Sequence, residues 1–316
     1  RGAAVKPMII TRTPLRVSFF GGGTDLRPFY AANEYGAVLS TTIDKFVYVT
    51  VKRHGMLFDE PFRLNYSTTE MVGSLEAIRN EIGRESLRML GVEAPIYIST
   101  VADIPAGSGL GSSSAYAVGL LHALCSLKAT RTAFGDLAEM ACQIEIDVLK
   151  KPIGKQDQYA AASGGLNHMR FFADESTSIT PLSARTGNVQ EVLDSLMLFW
   201  TGTVRSADAV LGEQRRNIAA TTDFLVQMRE MANEAARLFQ TRQMTTALFG
   251  EMLDVAWKLK RRLASTITSA AIDEWYERGR RAGAYGGKLC GAGGGGFLLF
   301  CVAPDRQVAV REALVE

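Results

Sequence analysis

Glycine-rich stretches interleaved with hydroxyls and charges are where this chain could do chemistry. The densest is Pro105-Ala106-Gly107-Ser108-Gly109-Leu110-Gly111-Ser112-Ser113-Ser114. Alternating glycines at 107, 109 and 111 let the backbone take positive φ and come close to a ligand. The apolar run from Ala115 to Leu127 reads as a buried helix. The loop's free N–H groups then gather at a helix N-terminus, where the dipole favours an anion, and Ser112 is the expected N-cap. That arrangement suits a phosphate group; an ordinary strand-to-helix turn is the competing reading.

Three more stretches share this character. Gly21-Gly22-Gly23-Thr24-Asp25 offers a loop that hugs a ligand and a carboxylate able to accept from sugar hydroxyls, although Asp25 capping the helix from Leu26 to Asn33 stays equally open. In Lys151-Pro152-Ile153-Gly154-Lys155-Gln156-Asp157-Gln158-Tyr159, Pro and Gly stop the preceding helix, so Asp157 starts a new short helix or turn. Lys288-Leu289-Cys290-Gly291-Ala292-Gly293-Gly294-Gly295-Gly296 leads into a strand. No glycine loop ends in Gly-Lys-Ser/Thr, which argues against a P-loop. Gly291, Gly293 and Gly296 match the dinucleotide spacing, but a strand follows where that fold needs a helix.

These stretches must be carried by a mixed framework. Met8 to Phe20 reads as two short strands or one kinked at Pro14, and Ala37 to Ile43 with Phe46 to Lys52 as a strand pair turning at Asp44-Lys45. Phe62 to Tyr66, Pro95 to Val101, Gly165 to Phe172, Leu196 to Trp200 and Phe297 to Val302 read as further strands. Helices are expected over Met71 to Leu90, Ser112 to Leu127, Thr132 to Lys150 and, in several pieces, Ala207 to Gly283, where Arg and Lys read as solvated faces. The interleaving implies an α+β or α/β fold. At 316 residues two domains are expected, with Ala173 to Asn188 as the linker. Arg1 to Pro7 precede Met8, a candidate initiator, and are set aside.

Composition removes other classes. A balance of +2 gives no electrostatic case for nucleic acid or a membrane surface. Three scattered histidines leave little for a His-based metal site or a Ser-His-Asp hydrolase. Four cysteines without CxxC spacing read as buried thiols in a reducing compartment, and with no membrane-length apolar run a cytoplasmic location is expected.

Jointly and in this order, Pro14 to Asp25, Pro105 to Ala115 and Lys288 to Gly296 resemble the three motifs of the GHMP kinase superfamily, which includes galactokinase, homoserine kinase and mevalonate kinase. The Ser18 to Asp25 start and Gly154-Lys155-Gln156-Asp157-Gln158 are most similar to its D-glycero-D-manno-heptose 7-phosphate kinases, with fucokinase-type enzymes nearby. The resemblance implies an α+β, two-domain fold: a ribosomal protein S5 domain 2-like, ATP-binding domain over 8–180 and a ferredoxin-like domain over 181–316. It implies ATP and Mg2+ as cofactors. Pro105, Gly107, Ser108, Gly109, Leu110, Gly111, Ser112, Ser113 and Ser114 would hold the nucleotide. Ser113 and Glu145 would hold the metal, with Asp147 as the alternative to Glu145 and a solvated helix face as the plain reading.

The same resemblance makes Asp157 the base, or the group that orients the acceptor hydroxyl, and Arg16 its charge partner; helix capping is the other role open to Asp157. Gly22, Gly23, Thr24, Asp25, Lys155, Gln156, Lys288, Gly291, Gly293 and Gly294 would face the substrate, and Lys288, Lys155, Arg12, Arg27 and Arg170 are candidates for a sugar phosphate. The implied reaction is phosphorylation of O1 of the heptose 7-phosphate to the 1,7-bisphosphate. A kinase for an unphosphorylated sugar, or a catalytically silent sugar- and ATP-binding regulator of the same fold, are the alternatives. No nucleic-acid or membrane partner is expected, and a homo-oligomer stays open.

Overall fold

A computed structural model of the protein describes residues 8–55, 58–183, 187–204 and 207–315. The chain runs β1 (Ile9–Phe20), α1 (Arg27–Tyr30), β2 (Tyr35–Lys52), β3 (Phe62–Asn65), β4 (Thr69–Val72), α2 (Glu81–Met89), β5 (Ile96–Ala102) and α3 (Ser112–Leu127). It continues through α4 (Phe134–Cys142), a π-helix (Gln143–Val148), α5 (Gln156–Ser163), β6 (Leu166–Phe172), β7 (Thr177–Leu182), α6 (Gly187–Asp194) and β8 (Leu196–Trp200). Last come α7 (Ala207–Gln240), α8 (Thr246–Lys260), α9 (Ala270–Arg281), β9 (Ala284–Leu289), β10 (Phe297–Val302), a 3-10 turn at Pro304–Arg306 and α10 (Gln307–Val315). The fold is α+β, with a seven-stranded sheet of order β4-β3-β5-β2-β6-β7, β1 along β2, and a three-stranded sheet β8-β10-β9.

Several local expectations give way to longer-range pairing. The pair expected to turn at Asp44-Lys45 is one 18-residue strand, β2. It bulges there instead of turning, since Pro14 of β1 faces Phe46 and Arg16 faces Thr42. The same irregularity accommodates Pro14 inside a continuous β1, which among the described residues pairs with β2 alone. The helix expected from Met71 begins only at Glu81, because the buried Glu70 carboxylate accepts from the Tyr66 hydroxyl (2.6 Å) and the Arg79 and Asn80 amides (2.6 and 2.9 Å) and holds the intervening loop. The stretch expected as a linker carries β7, paired with β6, so the chain leaves the large sheet only after Leu182.

The helix expected to run on to Lys150 changes character at Gln143. A π turn holds more residues than an α turn and shifts the phase of the buried face. Val148 is 48% exposed, while Glu145 is completely buried. The two halves of the chain share one apolar core: Phe19 and Phe20 at the end of β1 meet Phe249 of α8 edge-on at 5.1 and 5.3 Å. That clamp sets the loop after β1 against the loop after β9.

Candidate active site

Each polar stretch leaves a strand or enters a helix at the same end of the molecule, and together they line a cleft of about 530 Å3. Gly107, Gly109 and Gly111 all take positive φ (77°, 83° and 78°), and Gly111, not Ser112, is the N-cap of α3. A left-handed cap residue suits glycine, which leaves Ser112, Ser113 and Ser114 in the first turn, facing the cleft. The loop after β9 touches this one without any side chain between them. A Cβ on Gly291 would lie 2.5 Å from the Gly109 Cα, so both positions must stay bare.

The N-terminus of α5 organises the charged groups. Successive residues of a helix point about 100° apart, so three neighbours can reach three partners. The Gln156 side-chain amide and backbone N–H donate to Asp25 (3.0 and 3.2 Å). Asp157 accepts both arms of the Arg16 guanidinium, from Nε at 2.6 Å and Nη2 at 2.5 Å. The Gln158 amide donates to Glu145 at 2.7 Å. Arg16 also donates to the Gly109 carbonyl at 2.8 Å, tying β1 to the glycine-serine loop. Burial opposes the Arg16 charge, but Asp157 outweighs it and raises the guanidinium's pKa. Asp25 is raised by burial and then by its neighbour Asp157, against hydrogen bonds from Gly23 and Gln156.

Glu145 gathers oxygen donors. It accepts from Ser113 Oγ at 2.6 Å, Ser114 Oγ at 2.8 Å and Gln158, with the Lys151 ammonium 3.9 Å away. Asp147 lies instead at two other pockets, away from this cluster. On the far side of the glycine-serine loop a second cavity, of about 720 Å3, is lined by Val47, Ile82, Ala102, Ile104, Pro105 and Tyr116. Gly107, Ser112, Ser113 and Lys151 border both spaces.

Not every expected residue reaches the cleft. Gly22, Gly23, Asp25, Gln156, Lys288, Gly291 and Gly293 line it. Thr24 does not: it is fully buried and its hydroxyl donates to the Gly21 and Ala37 carbonyls at 2.8 and 2.9 Å, a turn lock. Leu110 and Ser108 are fully buried too, and the Leu110 carbonyl accepts from the Arg16 amide at 3.0 Å. Gly294 donates its N–H to the Ile267 carbonyl at 2.8 Å. Lys155 lies in a smaller adjoining pocket, paired with Glu175 at 2.9 Å and Glu139 at 3.7 Å. Arg27 pairs with Glu175 at 2.8 Å, Arg12 lies over the Phe46 ring, and Arg170 over the Tyr35 ring.

The structure adds residues that sequence reasoning missed. Asp208, Leu211 and Gln214 present one stripe of α7 to the cleft, a helical spacing legible only once the cleft is known. Lys260, read as a solvated lysine, is 6% exposed and faces the cleft from the end of α8. Gln158 could have been suspected from its place beside Asp157; Lys260 left no signal.

Family models match twice, as the GHMP kinases N terminal domain over residues 70–165 and as GHMP kinases C terminal over 229–316. The D-glycero-alpha-D-manno-heptose 7-phosphate kinase of Campylobacter jejuni is 29% identical, across 97% of this chain and 93% of its own. The L-fucokinase/L-fucose-1-P guanylyltransferase of Bacteroides fragilis is 26% identical across 95% of this chain, which spans 35% of that longer protein. A crystal structure of a D-glycero-D-manno-heptose 1-phosphate kinase from Bacteroides thetaiotaomicron superposes with a TM-score of 0.77 at 24% identity, covering 98% and 92% of the two chains. Lactococcus lactis galactokinase complexed with galactose gives 0.73 at 18% identity, covering 98% and 89%. With both family models matched in order over more than half its length, the chain belongs to the GHMP kinases, ATP-dependent phosphotransferases with a hydroxyl acceptor, and has sugar kinases among its relatives.

Proposed function

We propose that the protein transfers the γ-phosphoryl group of ATP to O1 of D-glycero-D-manno-heptose 7-phosphate, giving the 1,7-bisphosphate. The observation that carries the phosphotransfer chemistry is the three-way contact of Gln156, Asp157 and Gln158, which ties an acceptor carboxylate, an ion-paired carboxylate and an oxygen cluster to one helix turn. The choice of acceptor is supported by the Campylobacter jejuni relative, alignable over nearly the whole of both chains.

The nucleotide's phosphates lie on the glycine-serine loop, where amides at the start of α3 face the charge, and its base and ribose occupy the apolar cavity beyond Pro105. Asp25 and Gln156 hold acceptor hydroxyls. Asp157, ion-paired with Arg16, orients the O1 hydroxyl and accepts its proton as the O1–phosphorus bond forms and the bond from γ-phosphorus to the β-phosphate oxygen breaks, releasing ADP. A positioned carboxylate suffices because an anomeric hydroxyl is more acidic than an ordinary alcohol. The oxygens of Ser113 and Glu145, 2.6 Å apart, are hard donors on a shared edge and fit Mg2+. That ion, when bound, neutralises charge on the β- and γ-phosphates.

The test is ADP release with Mg-ATP and, in parallel, the heptose 7-phosphate, mannose 6-phosphate, fucose and galactose. Turnover confined to the heptose phosphate and lost in Asp157→Asn is expected. Preference for a free sugar would overturn the acceptor assignment, and full activity in Asp157→Asn the role of that carboxylate.

A further inference from the structure

Lys260 and Lys288 stand out among the cations of the cleft. They are 6% and 4% exposed, and among the described residues neither has a carboxylate within the 4.0 Å of an ion pair. The Lys288 ammonium donates to the Ser18 and Phe19 carbonyls, both at 2.9 Å, and Lys260 to the Leu289 carbonyl at 3.2 Å and the Gly291 carbonyl. An ammonium has three donors, so each keeps one. Both side chains line the main cleft and neither borders the apolar cavity. In the same cleft wall the Ser18 hydroxyl is buried with no hydrogen-bond partner among the described residues.

Burying two like charges without a counter-ion is costly, and the neutral form is favoured unless an anion arrives. Burial followed by Lys288 pulls Lys260 well below the ordinary lysine range; burial brings Lys288 down to about 8, opposed by Cys290 and reinforced by Arg16. In the small pocket adjoining the cleft the cations are already neutralised: Lys155 and Arg27 sit there among Glu139, Asp147, Glu175 and Asp25.

Resting on the acceptor reading above, we propose that Lys260 and Lys288, with the Ser18 hydroxyl, form a subsite for the phosphate monoester of the acceptor. The subsite joins β9 and the end of α8 to the end of β1, so a phosphorylated acceptor seated there bridges the two halves of the chain.

The test uses Lys260→Met and Lys288→Met in the full chain. Each is expected to raise KM for the heptose 7-phosphate about 10- to 100-fold, as for loss of one charge-assisted hydrogen bond, and to leave KM for ATP unchanged. In the unaltered protein inorganic phosphate is expected to raise Tm, a shift both variants lose. Folded variants that keep KM for the sugar phosphate and the phosphate-induced shift overturn the subsite, as does a rise confined to KM for ATP, which would put the donor's phosphate there. Should the unaltered protein use only unphosphorylated sugars, the heptose-phosphate reading falls by itself. The subsite then stands on a phosphate-induced Tm rise lost in both variants, and is overturned by its absence. If the variants do not fold, calorimetry of phosphate binding to the unaltered protein at about pH 8.5 decides: net proton uptake supports the lysine pair, and no uptake refutes it.

Discussion

Gly154→Ala isolates the contact by which the loop before α5 sets Asp25. A Cβ there would lie 2.1 Å from Asp25 Oδ2 and 2.7 Å from the Asp25 carbonyl oxygen. An ordinary contact needs about 3.5 Å, so the carboxylate must retreat by more than about 1 Å. That breaks the two hydrogen bonds from Gln156, now 3.0 and 3.2 Å. Bonds to a buried carboxylate are worth about 1.5 kcal/mol or more each, so a loss of about 3 kcal/mol is expected, with kcat/KM down about 100-fold. Most of the clash is with the side chain, so in an Asp25→Ala background the same change should cost about 1 kcal/mol, for the carbonyl contact alone. Urea unfolding and kcat/KM for the four proteins of this cycle measure a coupling of about 2 kcal/mol. Additivity within about 0.5 kcal/mol would refute the reasoning, because Gly154 would then be required for something other than the seat of Asp25.

Ser113→Ala and Glu145→Gln should each raise the half-saturating Mg2+ concentration by about tenfold or more, with KM for the sugar little changed; magnesium titrations of initial rate check this, and unchanged half-saturation in both refutes the shared metal edge. Because burial lowers Lys288 from 10.5 to about 8, the unfolded chain binds more protons between those values and stability should rise as pH climbs through that window. The rise owed to Lys288 is about 3 kcal/mol, and urea unfolding of Lys288→Met across the same range should lack it; equal slopes in the two proteins contradict it. Gln214, 3% exposed and facing the cleft, should hydrogen-bond an acceptor hydroxyl, so Gln214→Leu is expected to raise KM for the acceptor about tenfold and leave KM for ATP alone, while equal effects on both would point to a general loosening of α7.

What was legible in advance followed from local chemistry. Glycines at 107, 109 and 111 have few roles other than positive φ, and all three adopt it. Pro152 and Gly154 end one helix and so place Asp157 in the first turn of the next. The misreadings came where a distant partner overrode a local preference. Asp44-Lys45 looks like a turn, but β1 holds Thr42 and Phe46 in one strand. Met71 onward reads as a helix, yet Tyr66, Arg79 and Asn80 donate to the neighbouring Glu70 and fasten it in a hairpin. Lys155, Arg12, Arg27 and Arg170 read alike as phosphate candidates, because a sequence does not show which carboxylate or ring each cation meets.

The amino-acid sequence alone determined the loops that can approach a phosphate and the α+β alternation, since these depend on residue type and on neighbours a few positions away. The tertiary structure decided which charges face one another. Arg16 lies 141 positions from Asp157, Ser113 is 32 from Glu145, and Lys288 is 270 from Ser18, and no local rule couples such separations. They meet because β1 and α8 share one core and because the π turn, invisible to a 3.6-residue period, rotates Glu145 inward.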